Sequence, residues 1–197
     1  MPVYTKIEIK GDQFELAKVL TKLEAARWPG AHETDFTRLV GTLGEMAACM
    51  YLDGPAGRAS TMPLGLVHRM GLVSDHNLGR GDVVIVGRRK AARGRHSHPV
   101  DMLFANMHEV KATTARPMRG MVKAEAVEAY YDHRVSTIML FFVRLWDDRA
   151  VLMLDSVAAP ISIISGWELV DVNGVPHYAD PNIRRRQRYE QEQSLAK

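Results

Sequence analysis

One cysteine, Cys49, stands among 197 residues, so no internal disulfide can staple this chain. Long apolar runs are also missing: the longest, TIMLFFV at 137–143, is well short of the roughly 20 residues that a membrane-spanning helix needs. The opening residues, MPVYTKIEIKGD, lack the charged segment followed by an apolar one that marks a secretory signal. These absences lead us to expect a reducing, cytoplasmic setting with no membrane segment. Net charge is small as well, only +3. With 46% hydrophobic and 25% charged residues, the composition is that of a globular protein, and we read 1–197 as a single domain able to bury a core.

What positive charge there is comes in clusters. GRRKAARGRHSH (87–98) carries Arg88, Arg89, Lys90, Arg93 and Arg95, and IRRRQRY (183–189) carries Arg184, Arg185, Arg186 and Arg188, together nine of 26 Lys and Arg residues. Arginine dominates both, and its planar fork matches phosphate oxygens. Solvated loops are the ordinary explanation for such runs, but their density points to nucleic acid.

Apolar spacing predicts a helix over 13–27, with Phe14, Leu16, Ala17, Leu20 and Leu23 on its inner side. A second helix follows, DFTRLVGTLGEMAACMYL, capped by Thr34 or Asp35 and stopped by DGPAG. A loop is expected to about residue 65, then strands in DVVIVG (82–87) and within 100–112, a helix over 119–134, and two strands joined by DDR. NG at 173–174 suits a hairpin turn. TIMLFFV lacks polar alternation, which predicts a strand covered on both faces. The fold class is therefore α/β, a mixed central sheet flanked by helices.

Four residues stand out chemically. Glu45 is the only charged side chain between Leu39 and Leu52 of an otherwise apolar helix. A buried lone carboxylate costs several kcal/mol unless paired or metal-bound, although an exposed strip or a structural arginine would explain it equally. Asp82 opens a strand after the flexible LGRG. Glu109 and Lys111 alternate around Val110, so on a strand both point to one face. Glu-x-Lys is cheap, and EIK at 8–10 is a second copy. Only the later copy follows a helix with a lone Glu and a strand opening on Asp.

Opposite residues of an antiparallel hairpin have numbers of constant sum. Setting Asp82 against Glu109 pairs Gly87 with Phe104 and Ala91 with Val100, and places the tip in the basic segment at 92–99. A tighter hairpin through Ala105 and Asn106 would instead bring Asp101 beside Glu109, but it leaves GDVVIVG without a role.

This order, a helical GTLGE with Glu45, then RGDVVIVG, then HEVKATT, a helix and an apolar strand, resembles the PD-(D/E)XK nuclease superfamily. The likeness covers a core of about 36–145, leaving the 13–27 helix and a 150–197 extension outside it, and Gly81 stands where many members have proline. It implies a restriction-endonuclease-like core in αβββαβ order and phosphodiester hydrolysis with Mg²⁺ or Mn²⁺. Asp82, Glu109 and the Val110 carbonyl would hold one cation, with Glu45 on a second cation or on a metal-bound water. Lys111 would orient the attacking hydroxide and stabilise the charge at phosphorus. DNA is the substrate that the likeness implies, and cutting both strands favours a homodimer, although no coiled-coil seam is visible. Tyr130 and Tyr131 could line a groove, with core packing the ordinary role for at least one.

His96, His98 and His108 make a poor zinc set beside a single cysteine. A strand would turn His108 away from Glu109. The competing expectation is a non-catalytic nucleic-acid-binding protein that uses the basic arm and the Arg-rich tail.

Overall fold

The computed structural model describes residues 5–27, 34–53, 59–63, 82–90, 101–116 and 118–185. In chain order these form β1 (Lys6–Lys10), α1 (Asp12–Arg27), α2 (Asp35–Asp53), β2 (Ala59–Pro63), β3 (Val83–Lys90), β4 (Asp101–Thr113), β5 (Met121–Lys123), α3 (Ala124–Asp132), β6 (Thr137–Leu145), β7 (Arg149–Ala158), α4 (Pro160–Gly166), β8 (Glu168–Val172) and β9 (Val175–Ala179). Six strands make one mixed sheet in the order β1-β7-β6-β4-β3-β2. Only β4 and β6 run parallel in it, as the crossover through α3 requires. A second sheet, β5-β9-β8, is antiparallel.

The expected α/β class and the two-sided burial of β6 are both observed. Met139, Phe141 and Val143 join a core with Phe14, Ala17, Val40 and Leu43, under α1 and α2. Ile138 and Leu140 turn the other way and join Val127 and Tyr130 of α3. Alternation along one apolar strand thus glues helices to both faces.

Thr34 caps α2: the Thr37 N–H donates to its hydroxyl oxygen at 3.2 Å and the Arg38 N–H to its carbonyl at 3.0 Å. The expected NG turn joins β8 to β9, with Asn173 and Gly174 both at positive φ, 55° and 80°.

Three expectations need correction, and two short elements were not expected. The helix foreseen from 119 begins at Ala124, because Met121–Lys123 pairs with β9 after Gly120 turns the chain at φ 71°. Within the expected loop, Ala59–Pro63 is an edge strand on β3, with proline at its last position where the missing donor is tolerated. β1 and α4 carry too few residues to stand out by periodicity. In α1, Leu16 and Leu23 do not join the inner face: Phe14, Ala17 and Thr21 are buried, whereas Leu16, Val19 and Leu23 are exposed on the opposite side. Apolar residues on both sides of a helix conceal which one packs.

α2 lies tightly on β4. A Cβ at Gly44 would come within 2.6 Å of Ala112 Cβ and 3.3 Å of Val110 Cγ1. Gly44→Ala should therefore cost about 1–3 kcal/mol by overpacking, with much of the loss restored when Ala112→Gly is added. Urea denaturation of the two single variants and the double variant checks this; an unaltered Gly44→Ala would contradict the close approach.

Candidate active site

The β3–β4 register is the one that sets Asp82 against Glu109. Val83 pairs with His108 and Gly87 with Phe104, and the Asp82 N–H donates to the same His108 carbonyl at 2.8 Å, which ties Asp82 to the end of the ladder. The Ala91–Val100 pair and the hairpin tip lie outside the described residues. Asp101 sits opposite Lys90 at the far end of β4, eight residues and about 26 Å of strand from Glu109. The tighter hairpin does not form, because β4 runs unbroken through Ala105 and Asn106.

Asp82 reaches back across the strand end. Its Oδ2 accepts the Val110 N–H at 2.9 Å, a donor left over where β3 stops. In a strand the N–H and C=O of one residue leave on the same side, so the Val110 carbonyl faces the edge that Asp82 occupies.

Glu109 and Lys111 share the face covered by α3. The Lys111 ammonium donates to Glu109 Oε1 at 2.5 Å, and the Tyr130 hydroxyl donates to the same oxygen at 2.6 Å. Lys111 Nζ also lies 5.5 Å from the centre of the Tyr130 ring. The Glu109 side chain is 5% exposed and that of Lys111 44%, so the carboxylate is enclosed while the lysine side chain is partly open to solvent. The other Glu-x-Lys copy makes the contrast plain: Glu8 and Lys10 on β1 touch at 3.4 Å but are 39% and 68% exposed. A surface strand produced that one.

Burial, then the neighbouring Asp82 charge, push the Glu109 carboxyl up to about 7, against the lowering influence of Lys111 and of the two hydrogen bonds. Burial works against the Lys111 charge, but Glu109, Tyr130 and Asp82 outweigh it and hold the ammonium protonated beyond the ordinary amine range. Burial, with Glu109 adding to it and Lys111 opposing, raises the Tyr130 phenol, which therefore stays a donor.

The structure thus unites Asp82, Glu109 and Lys111 at one place. It does not bring Glu45 into a ligand set with them: among the described residues no three His, Cys, Asp or Glu side chains stand close enough together to hold a metal ion. Glu45 is 3% exposed on α2, the helix that covers the Val110–Ala112 face rather than the Glu109–Lys111 face. Arg38, Thr42 and Glu45 recur at helical spacing and are all buried, so α2 carries a polar stripe within an apolar helix.

His108 points away from Glu109, with Nδ1 2.7 Å from the Thr137 hydroxyl, and burial lowers its pKa. Tyr130 is buried and Tyr131 half exposed. Tyr130's bond to Glu109 was not foreseen; a tyrosine two turns into a crossover helix carries no signal of which strand residue it meets. Arg88, Arg89 and Lys90 occupy the last three positions of β3. Arg184 is half-buried and Arg185 exposed, while Arg93, Arg95 and Arg186 lie outside the described residues. No helix among the described residues is long and apolar enough to cross a membrane.

No family model, curated protein or solved structure matches this chain.

The Glu109 shift has a consequence for stability. Its pKa is raised from an ordinary 4.5 to about 7, so the folded chain holds a proton that the unfolded chain has already lost. The stability that this proton confers is complete below about 4.5 and disappears as pH rises through about 7, a loss of roughly 3 kcal/mol. Glu109→Gln should abolish the slope. Denaturant unfolding of both proteins at pH 4.5 and 8 measures it, and parallel pH profiles would contradict the raised carboxyl.

Proposed function

We propose that this chain is a metal-dependent DNA endonuclease with a restriction-endonuclease-like core. The observation that carries the reading is the Asp82–Glu109–Lys111 cluster, in which two carboxylates at a strand end share space with a lysine ammonium. The chain order α2-β2-β3-β4-α3-β6 supports it, being αβββαβ once the short β5 of the second sheet is set aside.

The donor set fits a hard divalent cation. Asp82 and Glu109 are oxygen donors, burial and then the Asp82 charge raise the Glu109 carboxyl, and the Val110 carbonyl faces the same edge. Mg²⁺ commonly takes one or two carboxylates and keeps several waters, so a third acidic side chain is not required. When bound, Mg²⁺ or Mn²⁺ supplies Lewis-acid stabilisation of phosphoryl oxygens and acidifies water.

The protein's own groups do the rest. Tyr130 fixes one Glu109 oxygen, leaving that carboxylate a single orientation. Lys111, permanently charged and solvent-reaching, offers its ammonium to a phosphate and to the charge that develops on it. Arg88, Arg89 and Lys90, the last three residues of β3, would hold phosphates at a distance from the reacting one.

A second reading, a non-catalytic nucleic-acid-binding protein, is favoured by one observation: Glu109 and Lys111 are closed on each other, as a purely structural pair would be. The two readings separate cleanly. Purified protein with supercoiled, linear, branched and single-stranded DNA should cleave with Mg²⁺ or Mn²⁺ and not with EDTA. Lys111→Ala and Asp82→Asn should each lower the rate at least about 100-fold while binding persists. Replacing Arg88, Arg89 and Lys90 by alanine should weaken binding and flatten its salt dependence by about one unit of slope per lost contact. Salt-sensitive binding with no metal-dependent cleavage on any substrate would establish the second reading instead.

A further inference from the structure

A cleft of about 440 Å³ opens directly beside Lys111, running between β4, β6, α3 and the second sheet. Its walls are apolar, with Met118, Val122, Ala126 and Leu140 contributing, and Lys111 and Lys123 stand along it. Lys123 is exposed and Lys111 reaches solvent, so two ammonium groups border an apolar hollow. His177 closes one side and is cross-strand to Lys123. Its ring is 3% exposed, with Nδ1 2.9 Å from the Val175 carbonyl and Nε2 buried without a hydrogen-bond partner.

The position of the cleft is fixed by packing independent of the acidic cluster. Arg119 forms two bonds to Asp155 of β7, at 2.6 and 2.9 Å, with its guanidinium 4.9 Å from the Phe142 ring. Gly120 then turns the chain into β5 against Ile183, whose side chain lies 2.8 Å from where a Cβ would stand. The second sheet is therefore clamped to the main one, and the hollow between them is a built feature.

We infer that this cleft receives the unpaired base of a nucleotide adjoining the phosphate at Lys111, which makes substrates with single-stranded character the ones the protein selects. The inference rests on the nuclease reading of Lys111. Its volume falls within the range of roughly 300–1,000 Å³ typical of small-molecule sites. That admits one nucleoside and not a base pair within a duplex. Apolar walls take up a base that has left its stack, and ammonium groups at the border hold the phosphates on either side. His177 adds a buried polar side chain to a wall that is otherwise mostly apolar.

The test uses the full chain in EDTA, so that no cleavage intervenes, with oligonucleotides carrying 2-aminopurine either unpaired or within a matched duplex. The unpaired probe should show a saturable fluorescence change and the duplex probe none. Ala126→Trp, which fills the cleft, should weaken binding of the unpaired probe roughly tenfold or more, the worth of one stacked base. Lys123→Glu, an exposed position at the start of α3, leaves the packing untouched and should weaken the same binding severalfold. Thermal melts confirm that both variants fold. Equal responses from paired and unpaired probes, or wild-type binding by folded Ala126→Trp and Lys123→Glu, would overturn the inference while leaving metal-dependent cleavage standing. A normal cleft response from a protein that never cleaves would instead sink the nuclease reading alone.

Discussion

Everything at the site depends on two carboxylates being forced to share the end of one hairpin. Asp82 cannot move away, because its own N–H completes the ladder to His108 and its Oδ2 takes the Val110 N–H. Glu109 cannot move away either, because Tyr130 and Lys111 hold the same oxygen. Burial first, and then the charge of Asp82, raise the Glu109 carboxyl, while the same carboxylates lock the ammonium in its charged form. A chain selected for stability alone has cheaper ways to end a strand, and an acidic pair kept close beside a lysine is the feature on which the proposed cation site rests.

The surrounding architecture serves that arrangement. α2 meets β4 at Gly44, and the lack of a side chain there lets the helix cover Val110 and Ala112 closely. That seals one face of β4 and leaves Glu109 and Lys111 to the other. α3 crosses over to bring Tyr130 onto that second face, and the crossover is what makes β6 parallel to β4. Burial on both faces of β6 then fixes the crossover helix, so the position of one phenol traces back to an apolar run of seven residues.

The hairpin was legible in the sequence because registration is arithmetic. Once Asp82 is set against Glu109, every other pair follows, and Gly87 opposite Phe104 is observed. Long periodic elements such as α2 and β6 were legible for the same reason. Short ones were not: β1, β2 and α4 are five to seven residues long and are stabilised by partners distant in the chain. Glu45 was legible as an anomaly but not as to place, since spacing tells which helix face a side chain shares and not which sheet face that helix covers. Tyr130 was read as a groove or core residue, and its bond to Glu109 is a tertiary contact that no local pattern encodes. The cleft beside Lys111 was invisible because its far wall comes from β5, which the periodicity merges into a helix, and from β9, beyond the stretch whose order suggested a nuclease.

Proton-linked cation binding tests the central claim most directly. If Asp82 and Glu109 form a cation site with Glu109 near pH 7, Mn²⁺ or Mg²⁺ must displace whatever proton the carboxyl carries. Calorimetric titration in two buffers of different ionisation enthalpy counts those protons. About half a proton should be released per cation at pH 7, falling toward none by pH 9, and Asp82→Asn should bind no cation. Absence of cation binding by the wild type, or binding that releases no proton at pH 7 and survives Asp82→Asn, would contradict the claim.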